Sequence, residues 1–290
     1  MPGIPGGTVT PADGLTLSRL GYGTMRLTGP NVFGPPENRA QALAVLREAV
    51  ASGVTHIDTA DFYGPVVVNE LIRQALHPYP ADLRIVTKVG ARRDTDGGWI
   101  QSLDPADLKE QVRENLRHLG VDTLDVVNLR VGTHDTPNED SVAEQFGALT
   151  ELRQEGLIRH LGLSCVSERQ LTEARAIAPV VTVQNLYNLA VRRDDALLER
   201  CEAENIAFVP YFPLGGFTPL QSGTLTRIAA ALDASPQQVA LAWLLHRSPA
   251  VAVIPGTSSP AHLRENLAAA DLALPADALA ELNTIGAPAS

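Results

Sequence analysis

Two cysteines in 290 residues, Cys165 and Cys201, are too few for a disulfide framework or a zinc site. Basic residues are outnumbered, and the formal charge of −10 argues against general affinity for nucleic acid or an anionic membrane. It leaves room for a local basic pocket that meets a phosphate. No run of about 18 apolar residues is present to span a bilayer. The opening MPGIPGGTVTPADG lacks both basic residues and an apolar run, so no secretion signal is expected. Seven histidines are scattered without paired spacing, which argues against a metal site. Ser164 has neither a histidine nearby nor a G-x-S-x-G context, so a nucleophilic triad is not expected. These absences leave a soluble cytoplasmic protein.

Hydrophobic residues make up 44% and charged residues 19%, with 23 glycines and 21 prolines, a globular and turn-rich composition. The length would fit two average domains or one α/β barrel of about 250 residues. Asp13-Gly14 between short alternating runs predicts a β-hairpin that leads into a strand near Leu20 to Gly23. TMRLTGPNVFGPPEN then carries too many turn formers for regular structure. From Arg39 onward helices and strands alternate. The predicted strands include THIDT, LRIVTK, TLDVVNL, IRHLGLS, VVTVQN, IAFVPYF and AVAVIPG. The helix DPADLKEQVRENLRHLG shows Asp104 as cap, Pro105 at its first position and Gly120 past its end. About eight short apolar strands, each followed by a helix, imply parallel strands buried on both faces. No linker divides the chain. Residues 1–290 therefore read as a single (β/α)8 TIM barrel domain, with the N-terminal β-hairpin capping the bottom and extra C-terminal helices. An open doubly wound sheet would need G-x-G-x-x-G after its first strand. Gly21-Tyr22-Gly23 continues instead as Thr24-Met25-Arg26, so the barrel is favoured.

Active sites of such barrels lie at the carboxyl ends of the strands. The second, third and fourth barrel strands end in Asp58, Lys88 and Asn128, each closing an otherwise apolar run, and Tyr63 follows in the loop after the second. A buried lysine stays charged only beside an anion, which Asp58 supplies. That ammonium is expected to lower the Tyr63 pKa below its ordinary value of about 10. A tyrosine so placed can give a proton to a developing alkoxide, and Asn128 can hydrogen-bond the same oxygen. For any one residue, a structural ion pair or a packed loop ring is the simpler reading. Four together on consecutive strands favour a catalytic one.

Near the end, VIPGTSSPAHLREN runs from a strand through Gly256, Thr257 and Ser258 into a helix capped by Ser259 and opened by Pro260. Free N–H groups at such a terminus suit a phosphate, with His262 and Arg264 as added contacts. VPYFPLGGFTP adds Tyr211 for stacking and Gly215-Gly216 for close backbone approach. Cys165 is expected to be a buried, inert thiol, and Arg92-Arg93 a solvated face.

LGYGTM, HIDTADFYG with Asn69-Glu70, IVTK, LDVVNLR, IRHLGLS, VQNLYN, VPYFPLGG, VALAWLL and IPGTSSPAHLRENL follow one another as in the aldo-keto reductases, which this chain resembles along nearly its whole length. The resemblance implies a barrel reductase that binds a nicotinamide dinucleotide, NADPH with NADH also possible. It implies Asp58, Tyr63 and Lys88 at three catalytic positions. Ser164 and Gln184 would hold the carboxamide and Tyr211 would stack on the ring. Thr24, Met25, Phe212, Pro213, Leu214 and Gly216 would line the cofactor, and Gly256, Thr257, Ser258, His262, Glu265 and Asn266 its adenosine end. Asn128 replaces the family's usual histidine, as in the potassium-channel β subunits, and Gly256 and His262 stand where many members carry lysine and arginine. Arg264 or Ser258 is then left to meet a 2′-phosphate. GPNVFGPPENR, TKVGARR, VQNLYNLAVRRDDA, FPLGGFTPLQS and HLREN are similar to bacterial pyridoxal reductases. In that case NADPH reduces pyridoxal to pyridoxine, and Phe33, Phe62 and Trp99 form an aromatic slot for it. The alternatives are a broad carbonyl reductase for detoxification or secondary metabolism, and a dinucleotide-binding regulatory subunit. The expected partner is a small aldehyde, and the expected state a monomer or weak homo-oligomer.

Overall fold

Strands β1 (Thr8–Ala12) and β2 (Leu15–Ser18) turn back on each other at Asp13-Gly14, where Gly14 takes φ 75°. The computed structural model describes residues 3–132, 136–216, 220 and 222–286. The hairpin's Leu15 and Leu17 are fully buried, clustered with Val86, Val126 and Ala207 from the inside of a parallel sheet. Each such leucine contributes roughly 1.5–3 kcal/mol by leaving water, which seals the amino-terminal end of the barrel.

That sheet contains β3 (Tyr22–Gly23), β4 (His56–Asp58), β5 (Arg84–Val89), β8 (Leu124–Arg130), β9 (Ile158–Ser164), β10 (Val180–Gln184) and β11 (Ala207–Phe208), side by side in chain order. Residues 251–253 close the ring. Val253 bridges Leu20 and Val251 bridges Phe208, both in parallel. Gly21 N donates to the Val253 carbonyl at 2.8 Å and Ala252 N to that of Phe208 at 2.9 Å. The eighth strand read in AVAVIPG thus survives as bridges only, because both of its neighbours are two residues long. The seam is tight: a Cβ on Gly23 would lie 2.4 Å from the Ile254 carbonyl oxygen, so no larger residue fits there.

Helices α1 (Arg39–Ala51), α2 (Val67–Leu76), α3 (Pro105–Leu119), α4 (Ala143–Gln154), α5 (Glu168–Arg175) and α6 (Asp195–Ala203) follow their strands around the ring. Helices α7 (Gly223–Ala231), α8 (Pro236–Arg247), α9 (Pro260–Ala268) and α10 (Ala276–Leu282) complete it. The expected caps are present: Asp104 accepts from the Ala106 and Asp107 amides, and Gly120 ends α3 in the left-handed region. No helix among the described residues is long and apolar enough to cross a membrane.

Two stretches differ from the sequence reading. Met25–Leu27 and Pro30–Val32 form short 3-10 turns inside the segment read as irregular. A second hairpin, β6 (Ala91–Arg93) with β7 (Trp99–Gln101), stands above the barrel rim. It also corrects the assignment of Arg92-Arg93 to a solvated face. Arg92 grips Asp107 of α3 from Nε at 2.9 Å and Glu114 from Nη1 at 3.0 Å. Hydrogen bonds from Arg92 hold the Asp107 carboxyl down to about 2. Arg93 donates to the backbone carbonyls of Asn31, Val32 and Gly97.

Candidate active site

Side chains alternate across a strand, so in β4 His56 and Asp58 share the inner face. Lys88 and Asn128 stand directly opposite each other in the β5–β8 ladder. Lys88 Nζ lies 2.6 Å from Asp58 Oδ1 and donates to the Thr59 carbonyl at 3.0 Å. The second carboxylate oxygen accepts from Gln184 Nε2 at 2.9 Å. Lysine and aspartate are 5% and 3% exposed, which makes their charges mutually dependent. Burial works against the ammonium, but Asp58 and Tyr63 beside it outweigh burial and raise the Lys88 pKa.

Tyr63 sits in the turn after β4 with the Lys88 ammonium 5.1 Å from its ring centroid. Its pKa corrects the sequence expectation. Burial dominates and raises the phenol above its ordinary value, although Lys88 pulls the other way. The group is therefore protonated throughout the neutral range, next to a cation that favours release of the proton to an oxygen gaining charge.

A buried polar network holds the turn that carries Tyr63, and the sequence reading passed over it. Asn69 of α2 accepts from Thr59 Oγ1 at 2.9 Å and donates to Asp61 at 2.9 Å and to Asn115 at 3.0 Å. Asn115 of α3 in turn accepts from Thr87 Oγ1 at 2.6 Å. The only hint was Asn69 within an apolar helix face. His56, one layer below Asp58, was also missed. Burial drops its pKa to about 4, so the imidazole is neutral.

Three buried polar atoms at the rim have no hydrogen-bond partner: Asn128 Nδ2, Ser164 Oγ and Gln184 Oε1. Asn128 Oδ1 is taken by the Thr182 hydroxyl at 2.6 Å, which aims the amide nitrogen the other way. Ser164 and Gln184 are paired residues of β9 and β10. An unmet buried donor or acceptor costs about 1–3 kcal/mol. One donor and two further groups on adjacent strands suit a ligand that brings a carbonyl oxygen and a carboxamide. Cys165 next to Ser164 is buried, and burial raises its pKa, as expected of an inert thiol.

A cleft of about 450 Å³ lies between the turn after β3 and the start of α9. Met25, Gly256, Thr257, Ser258 and His262 are among the residues that line it. Thr24 is buried beside them, its hydroxyl donating to the Asp58 carbonyl at 2.9 Å. Ser259 caps α9, accepting from the His262 amide, and Glu265 and Asn266 lie one turn further along. Arg26 lines the same cleft and was missed. Its Nη2 donates to the Gly216 carbonyl at 2.8 Å, tying the turn after β3 to the loop after β11. That loop carries Tyr211, Phe212, Pro213 and Leu214; Phe212 takes φ 54°, and its carbonyl accepts from Asn188 at 3.0 Å. Residues 217–219 and 221 of the FPLGGFTPLQS motif lie outside the described residues. Arg264 forms an exposed ion pair with Glu48 of α1, at 2.5 Å and 3.1 Å.

Of the three aromatic residues, Phe62 packs on both Tyr63 and Trp99, and Phe33 meets Arg93. Phe62 meets Tyr63 edge-on at 5.3 Å and Trp99 edge-on at 5.7 Å. The Arg93 guanidinium lies 4.1 Å from the Trp99 centroid and 5.4 Å from that of Phe33. The unforeseen second hairpin is thus the element that brings Trp99 to the rim.

Residues 19–287 match the Aldo/keto reductase family. The chain belongs to this family. It is therefore an oxidoreductase built for carbonyl reduction. Among curated relatives, pyridoxine 4-dehydrogenase of Escherichia coli is 57% identical over 93% of this chain and 95% of the relative's length. Among solved structures, a thermostable aldo-keto reductase in complex with the inhibitor epalrestat is 31% identical, with TM-score 0.79 over 94% of this chain and 97% of the other. An aldo/keto reductase from Klebsiella pneumoniae in complex with NADP and acetate is 26% identical, with TM-score 0.78 over 97% and 96%.

Proposed function

We propose that this aldo/keto reductase uses NADPH to reduce the aldehyde of pyridoxal to the alcohol of pyridoxine, as a cytoplasmic enzyme. The observation that carries the catalytic part is the buried Lys88–Asp58 pair, 2.6 Å apart, with Tyr63 over the ammonium. Identity of 57% to a pyridoxine 4-dehydrogenase supports the substrate. The NADP complex of the Klebsiella structure, together with the unpartnered rim atoms, supports the cofactor.

When bound, the nicotinamide supplies a hydride to the carbonyl carbon. Ser164 Oγ and Gln184 Oε1, both without a partner, would hold its carboxamide. Tyr211 would stack on the ring, and Arg26, Gly216 and the start of α9 would hold the rest of the dinucleotide. Asn128 Nδ2 donates a hydrogen bond to the substrate oxygen, stabilising the charge that grows there. Tyr63 then delivers its proton to that oxygen, and Lys88, held cationic by Asp58, stabilises the phenolate left behind. Phe62 and Trp99 wall off water and present flat faces to a heteroaromatic ring.

Asn128 cannot titrate. Asn128→Ala should lower kcat by about 10²- to 10³-fold through loss of that donor, with NADPH affinity retained. Asn128→His should introduce a break in the pH–rate profile near about 6.5 that the wild type lacks. A wild-type break that disappears in the alanine variant would contradict the assignment.

Rapid mixing of the NADPH-loaded protein with pyridoxal tests the reading as a whole. Fast oxidation of the bound cofactor is expected. Fast oxidation by other aldehydes but not by pyridoxal would move the assignment to a general carbonyl reductase. Slow oxidation with all of them would leave a dinucleotide-binding regulatory subunit.

A further inference from the structure

The turn that presents Tyr63 is fastened to the outer helices by a pair that the mechanism does not use, Asp61 and His118. Asp61 lies two residues before Tyr63. Its Oδ1 takes two hydrogen bonds, from Asn69 Nδ2 of α2 at 2.9 Å and from His118 Nδ1 of α3 at 2.8 Å. Its backbone carbonyl accepts from the Val66 amide at 2.7 Å, which closes the turn around Tyr63, and the Tyr63 amide donates to the Ala60 carbonyl at 3.0 Å. A carboxylate only accepts, so His118 Nδ1 carries the hydrogen in the neutral and in the protonated ring alike.

The same asparagine leads to the other catalytic group. Asn69 Oδ1 accepts from Thr59 Oγ1 at 2.9 Å, and the Thr59 carbonyl accepts from Lys88 Nζ at 3.0 Å. One line of hydrogen bonds thus runs from His118 through Asp61, Asn69 and Thr59 to Lys88, and the turn fastened to it carries Tyr63. Burial raises the Asp61 pKa, while His118 and Asn69 hold it down. Without either donor, a largely buried carboxylate is left short of a partner, and the turn gains by shifting it toward water. A shift of about 1 Å in a reacting group can cost about 10²-fold in rate.

We infer that Asp61, clamped by His118 and Asn69, is a positioning residue that sets Tyr63 against Lys88 for proton transfer. The inference rests on the reading of Tyr63 as the proton donor and deepens it. Asp61 and His118 act on the chemical step through the backbone of the turn, and binding of the dinucleotide does not depend on them. The His118 side chain is 26% exposed, so it can be replaced without opening the core.

The test is the single-turnover rate at which pyridoxal, or benzaldehyde where pyridoxal is inert, oxidises bound NADPH. It is measured in wild type, Asp61→Ala, Asp61→Asn, His118→Ala and His118→Gln, each alone and combined with Tyr63→Phe. Asp61→Ala should slow the step by about 10- to 100-fold with NADPH affinity unchanged. Asp61→Asn keeps an acceptor and should recover part of that loss. His118→Ala should lose less than Asp61→Ala, and His118→Gln, which keeps a donor, should restore most of it; this pair decides the matter should Asp61→Ala fail to bind NADPH. In the Tyr63→Phe background the same substitutions should have little further effect, because the group they position is gone. A packing role would instead multiply with Tyr63→Phe and weaken NADPH binding, and that result, or a near-normal rate in Asp61→Ala, overturns the inference. Ring-labelled tyrosine NMR reads the position without turnover. Among the signals of five tyrosines, that of Tyr63 is assigned by its loss in Tyr63→Phe; it should move in Asp61→Ala, and an unmoved signal also overturns the inference. A moved signal with Tyr63→Phe at near-normal rate sinks only the reading of Tyr63 as donor. A slow Tyr63→Phe beside an unaffected Asp61→Ala sinks only the role of Asp61.

Discussion

Tyr63→Phe should reduce kcat for aldehyde reduction by about 10²- to 10⁴-fold, the usual worth of a positioned proton donor, without loss of NADPH affinity. The phenyl ring keeps the edge-on contact with Phe62 at 5.3 Å and stays over the Lys88 ammonium, so the pocket wall remains in place. Only the transferable proton is removed. Because burial raises the Tyr63 pKa, the acid is in its donating form at neutral pH. The sign of the pH dependence follows. Reduction should be insensitive to Tyr63 ionisation through the neutral range and decline only in alkali, above the ordinary tyrosine value of about 10. Stopped-flow measurement of bound-cofactor oxidation separates this chemical step from cofactor binding. A phenylalanine variant with near-normal rates would place the proton donor elsewhere.

The alternation of strand and helix was legible because it depends on local signals: apolar runs of five to seven residues, caps such as Asp104, and stops such as Gly120. The rim residues were legible for a related reason. Asp58, Lys88 and Asn128 are polar interruptions of apolar strands, and barrel topology assigns such interruptions to one end. What escaped the reading depends on contacts distant in sequence. Hairpin β6–β7 has no apolar alternation, since Trp99, Ile100 and Gln101 are all exposed. It is held by Arg92 reaching fifteen residues ahead to Asp107. The direction of the Tyr63 shift also lay beyond local reading. The charge of Lys88 can be seen in IVTK, but the burial that overrides it comes from the folded rim, including Phe62. The partners of Arg26 and Arg264 escaped the reading for the same reason. Arg264 pairs with Glu48 from α1, and Arg26, after the first barrel strand, reaches Gly216 across the cleft.

Lys88→Met should destabilise the fold by about 3–5 kcal/mol and abolish turnover, because it leaves Asp58 charged and buried with only Gln184 and no cation to balance it. The double variant Asp58→Asn/Lys88→Met removes both charges. Replacing a buried ion pair by neutral groups is often tolerated or stabilising, so most of the lost stability should return. Activity should not, since the phenolate left by Tyr63 would still lack its cation. The ion pair also predicts a pH signature. Lys88 has a raised pKa in the folded state, so its contribution is fully present below the unfolded-state value of about 10.4 and is lost as pH rises through the folded value. Wild type should therefore lose stability in that alkaline window through Lys88, and the double variant should lack this part of the loss. Chemical denaturation at several pH values, with turnover measured on the same samples, distinguishes the two roles. A double variant as unstable as the single one would mean that the pair is not what holds this rim together. A stable and active one would mean that Tyr63 works without its neighbouring cation, and the proposed proton transfer would fail.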